Sequence, residues 1–114
     1  MKDGRKRRTP RPPPHLSPAS RKWWTSVAAN WDLEAHHCLL LTSACEALDR
    51  VAAAREQVAA DGLFTRDRYG QVRPHPALRV EAENRVLFAR LLREMALDDS
   101  APESRPPILA GYRR

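Results

Sequence analysis

The segment over residues 62–76 divides two long helical patterns, and it constrains the fold more than any other part of this sequence. Strand-forming residues at 63–65 and 71–73 flank a polar, glycine-containing centre, which is the order expected of a β-hairpin. Gly62 can adopt the positive φ that ends a helix, and two prolines keep the chain extended until another helix begins. The sequence therefore predicts a mainly α protein, an antiparallel long-helix hairpin with a small β-hairpin at the connection.

Helix start and stop signals divide the rest of the chain. Serine followed by proline at 17–18 predicts a short helix that ends near Asn30, since serine caps free amides and proline fits the first helical position. Asp32 is placed to cap a second helix over 33–61, and a third helix is expected over 75–96. Only about 80 residues can pack, a size at which one hydrophobic core is marginally stable.

Positive charge is concentrated at the N-terminus. Residues 1–22 contain eight lysines and arginines against one aspartate, although the whole chain carries only +6. The proline-rich arm over 1–16 lacks the apolar content to fold and is predicted to be disordered. Such an arm favours nucleic acid as its partner, with an anionic membrane or a merely solubilising role as alternatives. The predicted nucleic-acid contacts, on the arm, the first helix and the hairpin, are Lys6, Arg7, Arg8, Arg11, Arg21, Lys22, Arg66, Arg68 and Arg73.

The second helical pattern is apolar over more than one face. One stripe, at spacings of three and four, consists of Leu40, Ala44, Ala47, Val51, Ala54 and Val58. A neighbouring stripe consists of Leu41, Leu48, Ala52 and Ala59. Together they exceed the single face that a two-helix hairpin can cover, so part of this surface is expected to be buried against other subunits. The stripe beginning at Leu40 is the predicted oligomerisation surface of a cyclic homo-oligomer.

Candidate catalytic and metal-binding residues are few. His36, His37, Cys38 and Cys45 lack the spacing of a zinc site or a metalloprotease motif. The two cysteines lie about 10 Å apart on one helical face, too far for a disulfide, which favours reduced thiols in a cytoplasm. No apolar run approaches the roughly 20 residues that span a bilayer. We therefore expect no enzyme activity, no cofactor, no metal and no membrane partner.

A set of features from the hairpin onward carries a family resemblance. In chain order these are Gly62, Gly70, residues 72–77, Glu81, residues 91–97 and residues 101–105. The pattern resembles the small terminase subunit of tailed double-stranded DNA phages, in the branch built on a long-helix hairpin, and covers about residues 16–105. The resemblance implies a non-enzymatic ring in the cytoplasm of the bacterial host that recognises phage DNA for packaging. It also implies that the ring hands this DNA to a large subunit with ATPase and nuclease activity.

The resulting domain division has three parts. Residues 1–16 form the basic arm, 17–97 the oligomerisation and DNA-binding body, and 98–114 a tail that the resemblance suggests docks on the large subunit. The chain departs from the family pattern in the apolar residues at 63–64 and in the arginines around the hairpin. The competing interpretation is a small DNA-binding transcriptional regulator that forms a dimer, and a purely structural adaptor is a third. Stoichiometry separates a ring from a dimer.

Overall fold

The fold is mainly helical, as the sequence predicts. A computed structural model describes residues 10–95, and in these residues there are three helices and one two-stranded antiparallel sheet. The elements in chain order are α1 (Pro18–Asn30), α2 (Ala35–Asp61), β1 (Phe64–Arg66), β2 (Val72–Pro74) and α3 (Pro76–Met95). The predicted β-hairpin between the second and third helices is confirmed, with its strands shifted by about one residue.

The helix ends follow the sequence signals, with one exception. Ser17 caps α1, because its hydroxyl accepts a hydrogen bond from the Ser20 amide at 3.2 Å. Gly62 ends α2 with a φ of 90°. Asp32, however, is not the cap of α2, so that prediction is wrong. The cap is Glu34, which follows an extended connection whose Leu33 packs against the core and so delays the helix start.

The core lies where α1 and the end of α3 meet the first half of α2. Trp24 is fully buried there, and its indole Nε1 donates a hydrogen bond to Thr42 Oγ1 at 3.1 Å. Trp23 contacts Phe88, with ring centroids 5.6 Å apart, which joins α1 to α3. The buried cluster consists of Leu16, Trp24, Val27, Leu41, Ala44, Cys45 and Met95. Large aromatic side chains supply much of the apolar area that such a small core can bury.

The ordered body begins before Ser17. Leu16 is only 3% exposed and belongs to the core, and the carbonyl of Pro14 accepts a hydrogen bond from Arg21 at 3.3 Å. His15 Nε2 lies 2.8 Å from Glu46 Oε2 on α2. The predicted disorder of the whole arm over 1–16 is therefore wrong for its last residues, because burial of one leucine side chain holds them on the body. Residues 1–9 lie outside the described part of the chain.

Asp49 fixes the start of α1 on α2. Its carboxylate accepts hydrogen bonds from the Ser17 amide at 2.9 Å and from the hydroxyls of Ser17 and Ser20 at 2.7 and 2.6 Å. Burial alone would raise the pKa of Asp49, but the hydrogen bonds from Ser17 and Ser20 outweigh it and lower the pKa. The charged carboxylate is therefore the form that joins the two helices.

α3 runs back along α2. Arg50 on α2 donates to Asn84 at 3.1 Å, and Arg55, further along α2, pairs at 3.0 Å with Glu81, which comes earlier on α3. Contacts in this order require antiparallel helices. Small side chains at the α2 surface let neighbouring helices approach closely.

This packing limits the predicted oligomerisation surface. Its central members are buried within the single chain, and Leu40 and Val58 at its ends are half-buried; the buried members are Ala44, Ala47, Val51 and Ala54. The chain's own helices cover these four central members, so the single chain leaves them no surface for a neighbouring subunit, and contact between subunits through Leu40 and Val58 stays a prediction. Ala52 and Ala59 of the neighbouring stripe are exposed.

The two cysteines are free thiols, and Cys45 is buried in the core whereas Cys38 is half-buried. Burial, followed by the nearby carboxylates of Asp49 and Glu46, raises the pKa of Cys45 to about 12. The reactive form of a cysteine is the thiolate, so Cys45 is a structural residue rather than a nucleophile.

Candidate nucleic-acid interface

The β-hairpin exposes both of its faces. The strand pairs are Phe64 with Pro74, Thr65 with Arg73, and Arg66 with Val72. Because side chains alternate along a strand, the first and third pairs share one face and the second pair lies on the other. Phe64 is 62% exposed and Val72 58%. Within residues 10–95 no other element covers this short sheet, so it can contact another molecule.

Asp67 organises the turn between the two strands. Its Oδ1 accepts hydrogen bonds from the amides of Tyr69 at 2.9 Å and Gln71 at 3.0 Å, and its backbone carbonyl accepts from Gly70 at 2.9 Å. Gly70 has a φ of 77°, a conformation that other residues rarely adopt. The tip of the hairpin therefore has one defined shape before any partner binds.

The three predicted arginines of the hairpin are all exposed, with Arg66 on β1, Arg68 in the turn and Arg73 on β2. Arg66 Nη1 donates to the Gly70 carbonyl at 2.8 Å. Arg73 pairs through Nε with Asp67 Oδ2 at 3.0 Å and also donates to the Gln71 side chain at 3.1 Å. Arg68 places its guanidinium 5.4 Å from the centre of the Tyr69 ring. Three arginines against one aspartate make the hairpin electropositive.

His75 fixes the base of the hairpin to both long helices. Its amide donates to the Leu63 carbonyl at 2.8 Å, and its Nε2 lies 2.9 Å from Asp61 at the end of α2. Its Nδ1 accepts from the Ala77 amide at 3.0 Å in the first turn of α3. Since Nδ1 accepts, we assign the ring proton to Nε2, which donates to Asp61. The three contacts prevent the hairpin from swinging freely.

The remaining predicted contacts belong to a second basic region. Arg11 and Lys22 are exposed, whereas Arg21 is half-buried. The start of α1 is held by its N-cap Ser17, which contacts Asp49, twelve residues before α2 ends. At 1.5 Å per residue that is about 18 Å along the helix. The hairpin arginines all belong to one short hairpin, and the structure does not join them to α1. Three further predicted residues lie outside residues 10–95: Lys6, Arg7 and Arg8.

Sequence reasoning missed three residues of this site. Asp67 and His75 position the hairpin, and Tyr69, which is 77% exposed, lies at its tip. An aspartate three residues before a glycine in a hairpin centre is a readable turn signal. The hydrogen bonds of His75 could not be anticipated, because Asp61 belongs to a different helix.

Other kinds of site find little support in residues 10–95. No group of three or more potential metal ligands occurs there, and none of the helices is long and apolar enough to cross a membrane. A cavity of about 280 Å³ lies between α1 and α2. Its polar lining residues are already engaged, since Asp49 is held by two serines and Arg55 by Glu81. The hairpin is therefore the better candidate for an interface.

The fold and the hairpin define a small, mainly helical protein with an exposed basic β-hairpin. A scan against protein-family models found no match for the chain, and searches of curated proteins and of solved structures found none either. Function must therefore follow from what the chain's own residues can bind.

We expect the hairpin to keep its shape down to unusually acidic pH. The backbone hydrogen bond from Gln71, then the Arg73 side chain and the Tyr69 amide, lower the pKa of Asp67 from its ordinary 3.8. A lowered folded-state pKa means that the carboxylate supports the hairpin fully above pH 3.8. This stabilisation is lost only as the pH falls through the pKa of Asp67 in the folded state, which is the lower of the two pKa values. The Gln71 amide shift, followed by NMR during acid titration, should change with a midpoint below 3.8.

A substitution separates this effect from general acid denaturation. Asp67→Ala removes both carboxylate oxygens, so the Tyr69 and Gln71 amides and Arg73 lose their partner and the two amide shifts should move toward disordered values already at pH 7. Glu83→Gln, which alters an exposed carboxylate on α3, should leave them unchanged. A Gln71 midpoint at or above the ordinary aspartate value would show that Asp67 does not hold the turn.

Proposed function

We propose that this chain is the small terminase subunit of a tailed double-stranded DNA phage. In this role it is a non-catalytic protein that forms a ring, binds phage DNA for packaging in the host cytoplasm, and recruits the large terminase subunit. The observation that carries the proposal is the exposed hairpin, which holds three arginines on a fixed turn. The order of features from Gly62 to residue 105, which resembles that family, supports the same assignment.

Duplex DNA suits both basic regions of the chain. Cations on the N-terminal segment can neutralise phosphates along the backbone, a contact that does not depend on sequence. Arg66, Arg68 and Arg73 differ from these, because they lie on an ordered turn that His75 ties to the body. Ordered side chains can discriminate between bases, whereas contacts to phosphates mainly add affinity. The two regions together suit a protein that must hold DNA and also recognise a site on it.

Ring formation would use surfaces that the chain leaves uncovered. Exposed apolar side chains on α2 include Leu39 and Ala59, and those on α3 include Val80 and Val86. In the long-helix hairpin of the terminase family, α2 and α3 lie side by side. Neighbouring subunits of that shape could contact each other through these exposed apolar residues. Contacts between different faces of identical subunits close into rings when the rotation between neighbours allows it. The proposed binding segment for the large subunit is the tail over 98–114, which lies outside the described residues.

Native mass measurement of the purified full-length protein tests the proposal. We expect a closed oligomer of many copies that binds duplex DNA in a salt-dependent manner. A stable dimer that binds DNA would instead support a small transcriptional regulator. A monodisperse monomer, or an oligomer that binds no duplex at low salt, would contradict the terminase assignment. The measurement should be repeated with duplex present, since DNA can promote assembly.

A further inference from the structure

We propose that Arg68 and Tyr69 form the part of the hairpin that contacts bases in the major groove, whereas Arg66 and Arg73 hold the turn in shape. The inference rests on the proposed function, because it assumes that the partner is duplex DNA. It separates three arginines that are equivalent in the sequence pattern into one contact residue and two positioning residues.

Arg66 and Arg73 are both engaged within the hairpin. Arg66 binds the Gly70 carbonyl at 2.8 Å, on the far side of the turn from its own strand. Arg73 bridges Asp67 and Gln71 at 3.0 and 3.1 Å. An arginine that moved to a DNA base would break these bonds and release the turn. Both residues are therefore better placed to stabilise the turn than to contact a DNA base.

Arg68 is available in a way that the other two are not. Within residues 10–95 it has no hydrogen-bond or carboxylate partner, and its one aromatic contact is the Tyr69 ring at 5.4 Å. A cation over an aromatic ring is only weakly held at an exposed site. Tyr69 is itself 77% exposed, and the adjacent Gly70 has open space around it. The tip therefore presents a free guanidinium and a flat ring without nearby obstruction.

The shape of the hairpin favours the major groove. A two-stranded β-ribbon fits a groove about 12 Å wide, whereas the minor groove is only about 6 Å wide. In the major groove, arginine pairs through two hydrogen bonds with O6 and N7 of guanine, and the tyrosine ring can contact a thymine methyl group nearby. The turn is already ordered by Asp67, so little conformational entropy is lost when it binds. The chemistry to be recognised is a guanine beside a thymine-containing pair.

A selection experiment with the full-length protein tests this assignment. Duplexes are selected from a random library by the unmutated protein and by Arg68→Ala, Tyr69→Ala and Arg79→Ala. Arg79 is an exposed arginine on α3, so Arg79→Ala controls for the loss of one charge. The best duplex is then remade with 7-deazaguanine at each guanine in turn, which removes N7 alone.

We expect one guanine at which 7-deazaguanine weakens binding by the unmutated protein about tenfold, as for the loss of one good base contact. Arg68→Ala should abolish that penalty, and Arg79→Ala should keep it. Tyr69→Ala should weaken binding severalfold without changing the salt slope, since tyrosine carries no charge. Circular dichroism melting curves should be alike for all variants, because the tip contributes nothing to the core.

Each contrary outcome is informative. If Arg68→Ala retains every 7-deazaguanine penalty, the base contact lies elsewhere and the inference fails while the proposed function stands. If a minor-groove ligand such as netropsin competes and 7-deazaguanine has no effect, the tip does not read the major groove. If the unmutated protein enriches no sequence and shows no salt-dependent binding, the inference and the proposed function fail together. Equal loss of preference in Phe64→Ser would point instead to the apolar face of the hairpin.

Discussion

Ala47→Glu should unfold this protein, whereas Ala52→Glu, five residues further along α2, should leave it folded. Ala47 has no exposed surface and lies among the chain's own helices. A carboxylate placed there has no charged partner, and an uncompensated buried charge costs about 3–5 kcal/mol. The total stability of a small domain is only about 5–15 kcal/mol, and a domain of this size falls at the lower end. A single such substitution therefore removes most of the free energy of unfolding, and the folded state is no longer stable.

Thermal melting by circular dichroism, together with sedimentation velocity, checks this prediction. Ala52→Glu introduces the same side chain on the same helix at an exposed position, so it controls for helix propensity and added charge. It should melt close to the unmutated protein, because Ala52 is exposed at the edge of the cavity between α1 and α2, where the longer side chain can reach solvent. Ala47→Glu could instead keep the unmutated melting curve and change only the sedimentation coefficient. That result would contradict the burial of Ala47 by the helices of its own chain.

The hairpin and helix boundaries could be predicted because each depends on local chemistry. Gly62 takes the positive φ predicted for it, and Ser17 caps α1 with its own hydroxyl. Such signals act within a few residues and do not require knowledge of the fold. Asp32 shows the limit of this reasoning, since the helix begins two residues later, with Glu34 as its cap and Leu33 packed against the core.

The predicted oligomerisation stripe illustrates a different limit. Periodicity identifies a face that must be buried, but it does not say what buries it. Ala47 and Val51 satisfy the requirement within one chain, because α3 returns along α2. An alanine-rich seam has the same appearance in a subunit interface and in a helix pair. Only the positions of the other helices distinguish the two.

Contacts between residues that are far apart in the sequence account for the remaining differences between the predictions and the structure. Leu16 ends a proline-rich segment of low apolar content, yet Asp49 anchors the neighbouring Ser17 on α2. The hairpin site was predictable as a group of three arginines. Their separate roles were not, because the hydrogen bonds of Arg66 and Arg73 depend on the exact shape of the turn.

Deletion of residues 1–9 should weaken binding to every duplex and make it less sensitive to salt. These residues carry five lysines and arginines against one aspartate. If each cation contacts one phosphate, the slope of log affinity against log salt should become shallower by about 4.5 per bound arm. Between 50 and 200 mM salt, affinity of the unmutated protein should then fall about 500-fold more than that of the deletion. Residues 10–16 are retained because Leu16 belongs to the core.

Fluorescence titrations at four or more salt concentrations measure the two slopes. A full-length variant with the five cations replaced by glutamine keeps the arm's length and should match the deletion. The ratio of affinities for a selected and an unselected duplex should be nearly unchanged in both, because phosphate contacts carry no direct sequence information. Equal slopes for the deletion and the unmutated protein would place the electrostatic contact on the ordered body. Arg11, Lys22 and the hairpin would then have to supply it.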